Sequence, residues 1–185
     1  MSEWLVRYDR SGVPARHKGF RPSDSKSESW SEKYQKIKEV VDKGGLCSLL
    51  GKRGTGKTQG AVCAIGYNCR RLERNALYVK AFDVFLNIRN GNSSRDKSEK
   101  EAVNEYLKPH LLVIDAFEVR GDTGFENRTL NHIIDKRYDA IKPTILISNE
   151  TPKDFAVSVG ESFMDRMRES GAIIVFDGES RRVQQ

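Results

Sequence analysis

The octapeptide GKRGTGKT, Gly51 to Thr58, constrains this chain more than any other stretch. It stands between the apolar run LCSLL, residues 46–50, and the helix-like segment TQGAVCAIGYNCRRL. Its glycines let backbone N–H groups turn inward around one point, and the helix that follows offers its positive end to the same point. Strand, anion-sized loop and helix in that order open a sheet whose strands are joined by helical crossovers, and are therefore parallel.

The rest of the chain keeps that pattern. Four further apolar runs follow, at residues 76–80, 110–115, 143–149 and 171–177, each too short for a buried helix, with helical segments between them. The third and fifth runs lack polar alternation, as strands covered on both faces do. The expected fold is α/β, with a five-stranded parallel sheet between helices. A length of 185 residues suits one domain. With 37% hydrophobic and 31% charged residues the chain is an ordinary folded one. No apolar run nears the roughly 20 residues of a membrane span, and MSEWLVRYDR carries charges where a signal peptide needs an apolar core. No membrane partner and a cytoplasmic location are expected. Cys47, Cys63 and Cys69 follow no metal-ligand spacing and are expected to be reduced thiols, two of them on one helix. The net charge of +6 permits a phosphate-backbone partner without showing one.

Residues 1–26, polar and rich in Ser, Gly, Pro and Arg, look like an extended arm or linker with Phe20 as its apolar anchor. Helical spacing of Trp30, Tyr34, Ile37 and Val41 predicts a helix capped by Ser27, Ser29 or Ser31 and stopped by Gly44 and Gly45. The polar insertion before the third strand is expected to form two helices joined near Gly91 to Arg95. The expected division is an arm over 1–26, a nucleotide-binding domain over 27–182 and a tail over 183–185.

The octapeptide fits G-x-x-x-x-G-K-[ST] at every required position, in the strand–loop–helix context the motif needs. Gly51, Lys52, Arg53, Gly54, Thr55, Gly56, Lys57, Thr58 and Gln59 are expected to surround the phosphates of ATP, with Lys57 on the β and γ oxygens and Thr58 on Mg²⁺. In LLVIDAFEVR, Asp115 ends the third strand where a Mg²⁺-directed carboxylate belongs, although a strand-end aspartate can also cap a turn. The next residue is Ala116, where many hydrolysing P-loop ATPases place a water-polarising glutamate. Glu118 stands two residues on, about 7 Å further along if the chain stays extended, and a bend would return it to the site. Slow turnover is the expectation. Asn149, at the end of the fourth strand, can sense the γ-phosphate, or form the turn before Thr-Pro.

In the order of these motifs the chain resembles the AAA+ (ASCE) P-loop NTPases of the DnaC and DnaI helicase-loader type, with the IstB transposition ATPases as near relatives. The resemblance runs from about Gly12 to Arg182 and rests on GKRGTGKT, LLVID, FENRTLNHIIDKRYDAIKPTILISN, VGESFMDRMRES and FDGESRR. It implies an ATP-controlled protein that grips single-stranded DNA, assembles into an oligomer or filament on it, and helps place a replicative DnaB-type helicase, in a bacterial or phage-infected cell. It makes Asn149 the sensor I residue and Arg166 an arginine finger acting on a neighbouring subunit's nucleotide. It also makes Arg89, Thr123 and Phe125 the contacts to DNA, with Asn92 where some relatives have an aromatic. Arg166 and Arg168 otherwise form a solvated helix face, and Phe125 otherwise packs at a helix start.

Two departures from the resemblance are Ala116 and the N-terminal region. In place of a helicase-docking domain there is only the arm, whose Trp4, Leu5 and Tyr8 would have to dock as a short amphipathic segment. No C-terminal lid domain is expected. Alternative functions are an IstB-like transposition helper, an ATP-gated DNA clamp without turnover, and a small-metabolite kinase. The last lacks a polar lid and an acceptor pocket. Arg181 and Arg182 are further candidates for nucleotide or DNA contact.

Overall fold

The computed structural model describes residues 2–93, 98–119 and 124–180. All five apolar runs are strands: β1 (Leu46–Leu50), β2 (Ala76–Lys80), β3 (Leu111–Asp115), β4 (Thr144–Ser148) and β5 (Ala172–Val175). They form one parallel sheet in the order β2-β3-β4-β1-β5. Strands β1, β3 and β4 are central and buried along almost their whole length, which is why their sequences do not alternate. At the edges, β2 alternates buried with half-buried residues, and β5, apolar throughout, leaves Val175 exposed.

Eight helices cover the sheet among the described residues: α1 (Glu3–Asp9), α2 (Glu28–Asp42), α3 (Lys57–Arg70), α4 (Ala81–Ser93), α5 (Glu99–Leu107), α6 (Gly124–Asp139), α7 (Pro152–Val159) and α8 (Glu161–Ser170). The two-residue strand period sends Leu111 and Val113 to one face, with α2 and α3, and Leu112 and Ile114 to the other, with α4 to α8. Ser27 Oγ caps α2, accepting from the Trp30 N–H at 3.3 Å, and Trp30, Tyr34, Ile37 and Val41 make its buried stripe. Cys47, Cys63 and Cys69 are buried free thiols, the last two on α3 as expected; burial pushes Cys63 up to about 12. The insertion forms α4 and α5, but α4 runs to Ser93, past the Gly91 start of the expected loop.

Residues 2–26 are not extended. α1 packs on α3, with Tyr8 against the core and the Arg70 guanidinium 5.5 Å from the Trp4 ring. The segment holding Trp4, Leu5 and Tyr8 is helical as an amphipathic docking element would be, yet it lies on its own domain. Beyond it, the Ser11 carbonyl accepts from the Tyr78 N–H at 2.7 Å, and Val13 is buried. Gly12 has φ 78°, and a Cβ there would lie 2.7 Å from the Tyr78 carbonyl oxygen, so only glycine lets the arm come this close to β2. The arm covers a sheet edge that would otherwise expose unpaired backbone groups. Scattered apolar residues among Pro and Gly gave no period by which to see this in the sequence.

Candidate functional site

The loop from β1 to α3 turns through glycines in positive φ. A Cβ on Gly51 would meet the Phe176 carbonyl at 2.2 Å, and one on Gly56 would meet Trp30 Nε1 at 2.9 Å. Trp30 holds the loop from below, its indole N–H donating to the Gly56 carbonyl at 3.2 Å. Phe20 meets Trp30 edge-on at 5.4 Å and Tyr34 stacks on it at 5.6 Å. Trp30→Phe keeps an aromatic ring and removes the donor. We expect it to weaken Mg-ATP binding about 2- to 10-fold by calorimetry, and an unchanged Kd would mean that this bond does not position the loop.

Beyond the carboxyl ends of the strands, where open parallel sheets bind ligands, lies a cleft of about 440 Å³. Lys57 is only 5% exposed, and its ammonium donates to the Gly51 carbonyl at 2.5 Å, the Lys52 carbonyl at 2.7 Å and Asn149 Oδ1 at 3.0 Å. Thr58 Oγ1 donates to Asp115 Oδ2 at 3.3 Å, so the hydroxyl and the carboxylate expected to share Mg²⁺ already face each other. Arg53, Gly54, Gly56 and Gln59 also line the cleft. Thr55 is buried and its hydroxyl donates to the Lys52 carbonyl at 2.9 Å. A glycine cradle, a buried ammonium and a hydroxyl–carboxylate pair at one point are a donor set that fits a metal-bound nucleoside triphosphate.

After Asp115 the chain does bend. Ala116 takes φ 55°, its N–H donates to Asp115 Oδ1 at 2.7 Å, and a 3-10 turn follows over Phe117–Val119. The bend brings Glu118 to the cleft wall, where it accepts from the Asn149 backbone N–H at 3.2 Å and from the Asn149 side-chain amide. Asn149 therefore bridges Lys57 to Glu118. Lys57, Thr58, Asp115, Glu118 and Asn149 converge as five parts of one site.

Two contributors escaped the sequence reading. The Tyr78 hydroxyl, from β2, donates to Asp115 Oδ2 and lines the cleft; burial first, then this carboxylate, push its pKa well above the usual tyrosine range. A tyrosine inside ALYVK gave no signal of this, because only the β2–β3 register puts it within reach of Asp115. Pro14, Arg16 and His17 of the arm also line the cleft.

The remaining candidates lie elsewhere. Arg166, on α8, does not line the cleft; it pairs with Asp135 of α6 at 3.0 Å and donates to the Ser162 hydroxyl at 2.9 Å. Arg89 and Phe125 meet, with the guanidinium 5.7 Å from the ring, and Arg89 also pairs with the buried Glu126 at 3.1 Å. Phe125 is half-buried against the core, so packing and exposure share that ring. Thr123, Arg181, Arg182 and the Asn92 side chain lie outside the described residues.

Sheet order, phosphate loop and strand-end carboxylate define the class: a P-loop ATPase fold of the AAA+ type. The family of IstB-like ATP binding proteins matches residues 36–185, and the chain belongs to it. It is 26% identical over 182 residues to the replicative helicase loader DnaC of Escherichia coli (strain K12), covering 95% of this chain and 74% of that protein. It is 30% identical over 147 residues to a protein described as ATP-binding in an insertion sequence of Mycobacterium tuberculosis, covering 77% and 57%. Among solved structures, that of the DnaC helicase loader superposes with a TM-score of 0.75 at 19% identity, over 89% of this chain and 100% of that one. AMPPCP-bound DnaA from Aquifex aeolicus gives 0.72 at 19% identity, over 89% and 51%.

Proposed function

We propose that this protein is an ATP-dependent helicase-loader-like factor of DNA replication, binding single-stranded DNA and assembling on it with the nucleotide between subunits. The observation that carries the reading is the convergence of Lys57, Thr58, Asp115 and Asn149 on one cleft, in a chain whose similarity to a DnaC loader covers 95% of its length. Lys57 would hold the phosphate oxygens, and Thr58 and Asp115 would hold Mg²⁺, whose charge offsets that of the triphosphate. Glu118, placed by the bend, is the carboxylate that would orient and deprotonate the attacking water, in the place Ala116 leaves unserved. Arg166, away from its own subunit's cleft, is available to a neighbour's, so catalysis would depend on assembly. In that role it exchanges Asp135 for phosphate.

For DNA, the Arg89–Phe125 pair supplies a cation for the backbone and a ring face for a base, a combination that binds without reading sequence. A DnaB-type helicase is the proposed partner. A second reading, as an IstB-like helper of a transposase, draws on the family match and the insertion-sequence relative. Stimulated loading of a ring helicase onto circular single-stranded DNA favours the first reading, and stimulated strand transfer by a transposase the second.

The central test is anisotropy of labelled single-stranded DNA titrated with protein under ADP, ATP and a non-hydrolysable analogue, with phosphate release followed in parallel. We expect ATP and the analogue to tighten binding alike, and DNA to raise a slow basal release. DNA affinity indifferent to nucleotide would overturn the loader reading. Tight ATP-dependent binding with release at background would make the protein a clamp without turnover.

A further inference from the structure

The arm belongs to the nucleotide site. It is fixed at both ends of a short stretch: on one side by the Ser11–Tyr78 backbone bond and buried Val13, on the other by Phe20 against Trp30. Between these anchors the 3-10 turn Ala15–His17 packs against α3. The turn lines the same cleft as Lys57, Thr58 and Asp115. Its Arg16 is exposed and makes no hydrogen bond or ion pair among the described residues. Among the described residues the cation therefore lines the cleft without an ion-pair partner.

The charge of the cleft agrees. Arg16, Arg53, Lys57 and Lys80 face two carboxylates, Asp115 and Glu118, leaving a positive excess for an anionic ligand. Arg16 lines the cleft together with Tyr78, whose hydroxyl bonds Asp115. The terminal phosphate would lie at the Asp115 corner, because Thr58 and Asp115 meet there. A planar guanidinium on a rigid turn suits phosphate oxygens better than a flexible amine.

We propose that Arg16 is a binding residue of the nucleotide site, contacting the terminal phosphate of a nucleoside triphosphate from within its own subunit and so distinguishing triphosphate from diphosphate. The inference rests on the ATP site proposed above and adds a cation supplied in cis by the N-terminal arm. An arm that touches the terminal phosphate also links nucleotide state to α1, since both ends of the turn are tied to the domain.

The test is calorimetric titration of the wild-type protein, Arg16→Ala, Arg16→Lys and Lys18→Ala with a Mg-bound non-hydrolysable ATP analogue and with Mg-ADP. Melting temperatures serve to confirm folding. Arg16→Ala is expected to bind the analogue about 10- to 100-fold more weakly while ADP affinity stays within about twofold. Arg16→Lys should recover part of the loss, and Lys18→Ala, which removes the same charge two residues away, should match wild type. Arg16→Ala binding the analogue as wild type does would overturn the proposal and leave the ATP site intact. So would equal losses for analogue and ADP, which would place Arg16 away from the terminal phosphate. Wild-type protein that binds neither ligand would overturn the ATP site itself, and the role of Arg16 with it.

Discussion

Arg137→Ala should lower the melting temperature by about 10 °C or more, the largest stability effect we expect from any single substitution in this chain. Arg137 lies on α6 and is fully buried, and its hydrogen bonds go to a hydroxyl and to main-chain carbonyls. Its five donors are matched one for one. Nε gives to Thr144 Oγ1 at 2.8 Å, one terminal nitrogen to the Tyr106 and Pro109 carbonyls at 2.9 Å each, and the other to the His110 and Pro143 carbonyls at 2.7 and 2.8 Å. These acceptors sit where the chain enters β3 and β4, at the end of the sheet opposite the cleft.

Removing the guanidinium takes a donor from four main-chain oxygens, of which the Pro143 carbonyl keeps the Leu112 N–H at 3.2 Å, a loss that costs about 3–5 kcal/mol when a buried charged partner is removed. A native domain has only about 5–15 kcal/mol in all. Because four of the five acceptors are backbone, no compensating side-chain change can remove them, so Arg137→Met should fare little better than alanine. Arg137→Lys keeps the charge but has three donors for five acceptors, and should fall between. Thermal unfolding followed by circular dichroism decides it; an alanine variant melting within about 2 °C of wild type would show that water replaces the guanidinium at little cost. The neighbourhood bears the mark of this cation. Burial, with Arg74, Arg137 and Lys142 nearby, lowers His110 to about 4, so it stays neutral at ordinary pH and can accept from Arg74.

Arg137 also shows what the sequence can and cannot convey. The five strands were legible because each is a short apolar run between helical segments, and the phosphate loop because its glycines, lysine and threonine must stand in fixed order. The placement of Asp115 and Asn149 at the cleft followed from lying at strand ends in a parallel sheet. What stayed hidden depends on contacts between distant segments. Arg137 reads as one more charge on a helix, Tyr78 as one more apolar strand residue, and Arg16 as part of a polar linker. Each acquires its role from a register, a crossing or a backbone bond that no local pattern encodes. The conformation at Ala116 belongs with them. Alanine is not a residue that announces positive φ, and holding it there costs about 1–2 kcal/mol, a strain the Asp115 side chain helps to offset by accepting the Ala116 N–H.

That bend carries the second large effect. Glu118→Gln should cut DNA-stimulated phosphate release about 10²- to 10⁴-fold while leaving ATP affinity within about twofold, because Glu118 bonds to Asn149 and not to the phosphate loop, and the amide keeps its shape. Asn149 offers its amide N–H groups to Glu118 and its oxygen to Lys57. One side chain thus ties the proposed base to the phosphate-binding cation. While Asn149 holds the carboxylate, turnover should be slow; a change at Lys57 that draws Asn149 away would release it to accept the proton of water. Placing a carboxylate two residues earlier should not substitute. At φ 55° the strand has already ended, so the side chain introduced at position 116 of an A116E/E118Q double variant would not point where that of an extended residue points. Single-turnover release measured with DNA for E118Q and the double variant separates the alternatives. Wild-type rates in E118Q would remove Glu118 from the chemistry, and recovery in the double variant would put the attacking water beside residue 116.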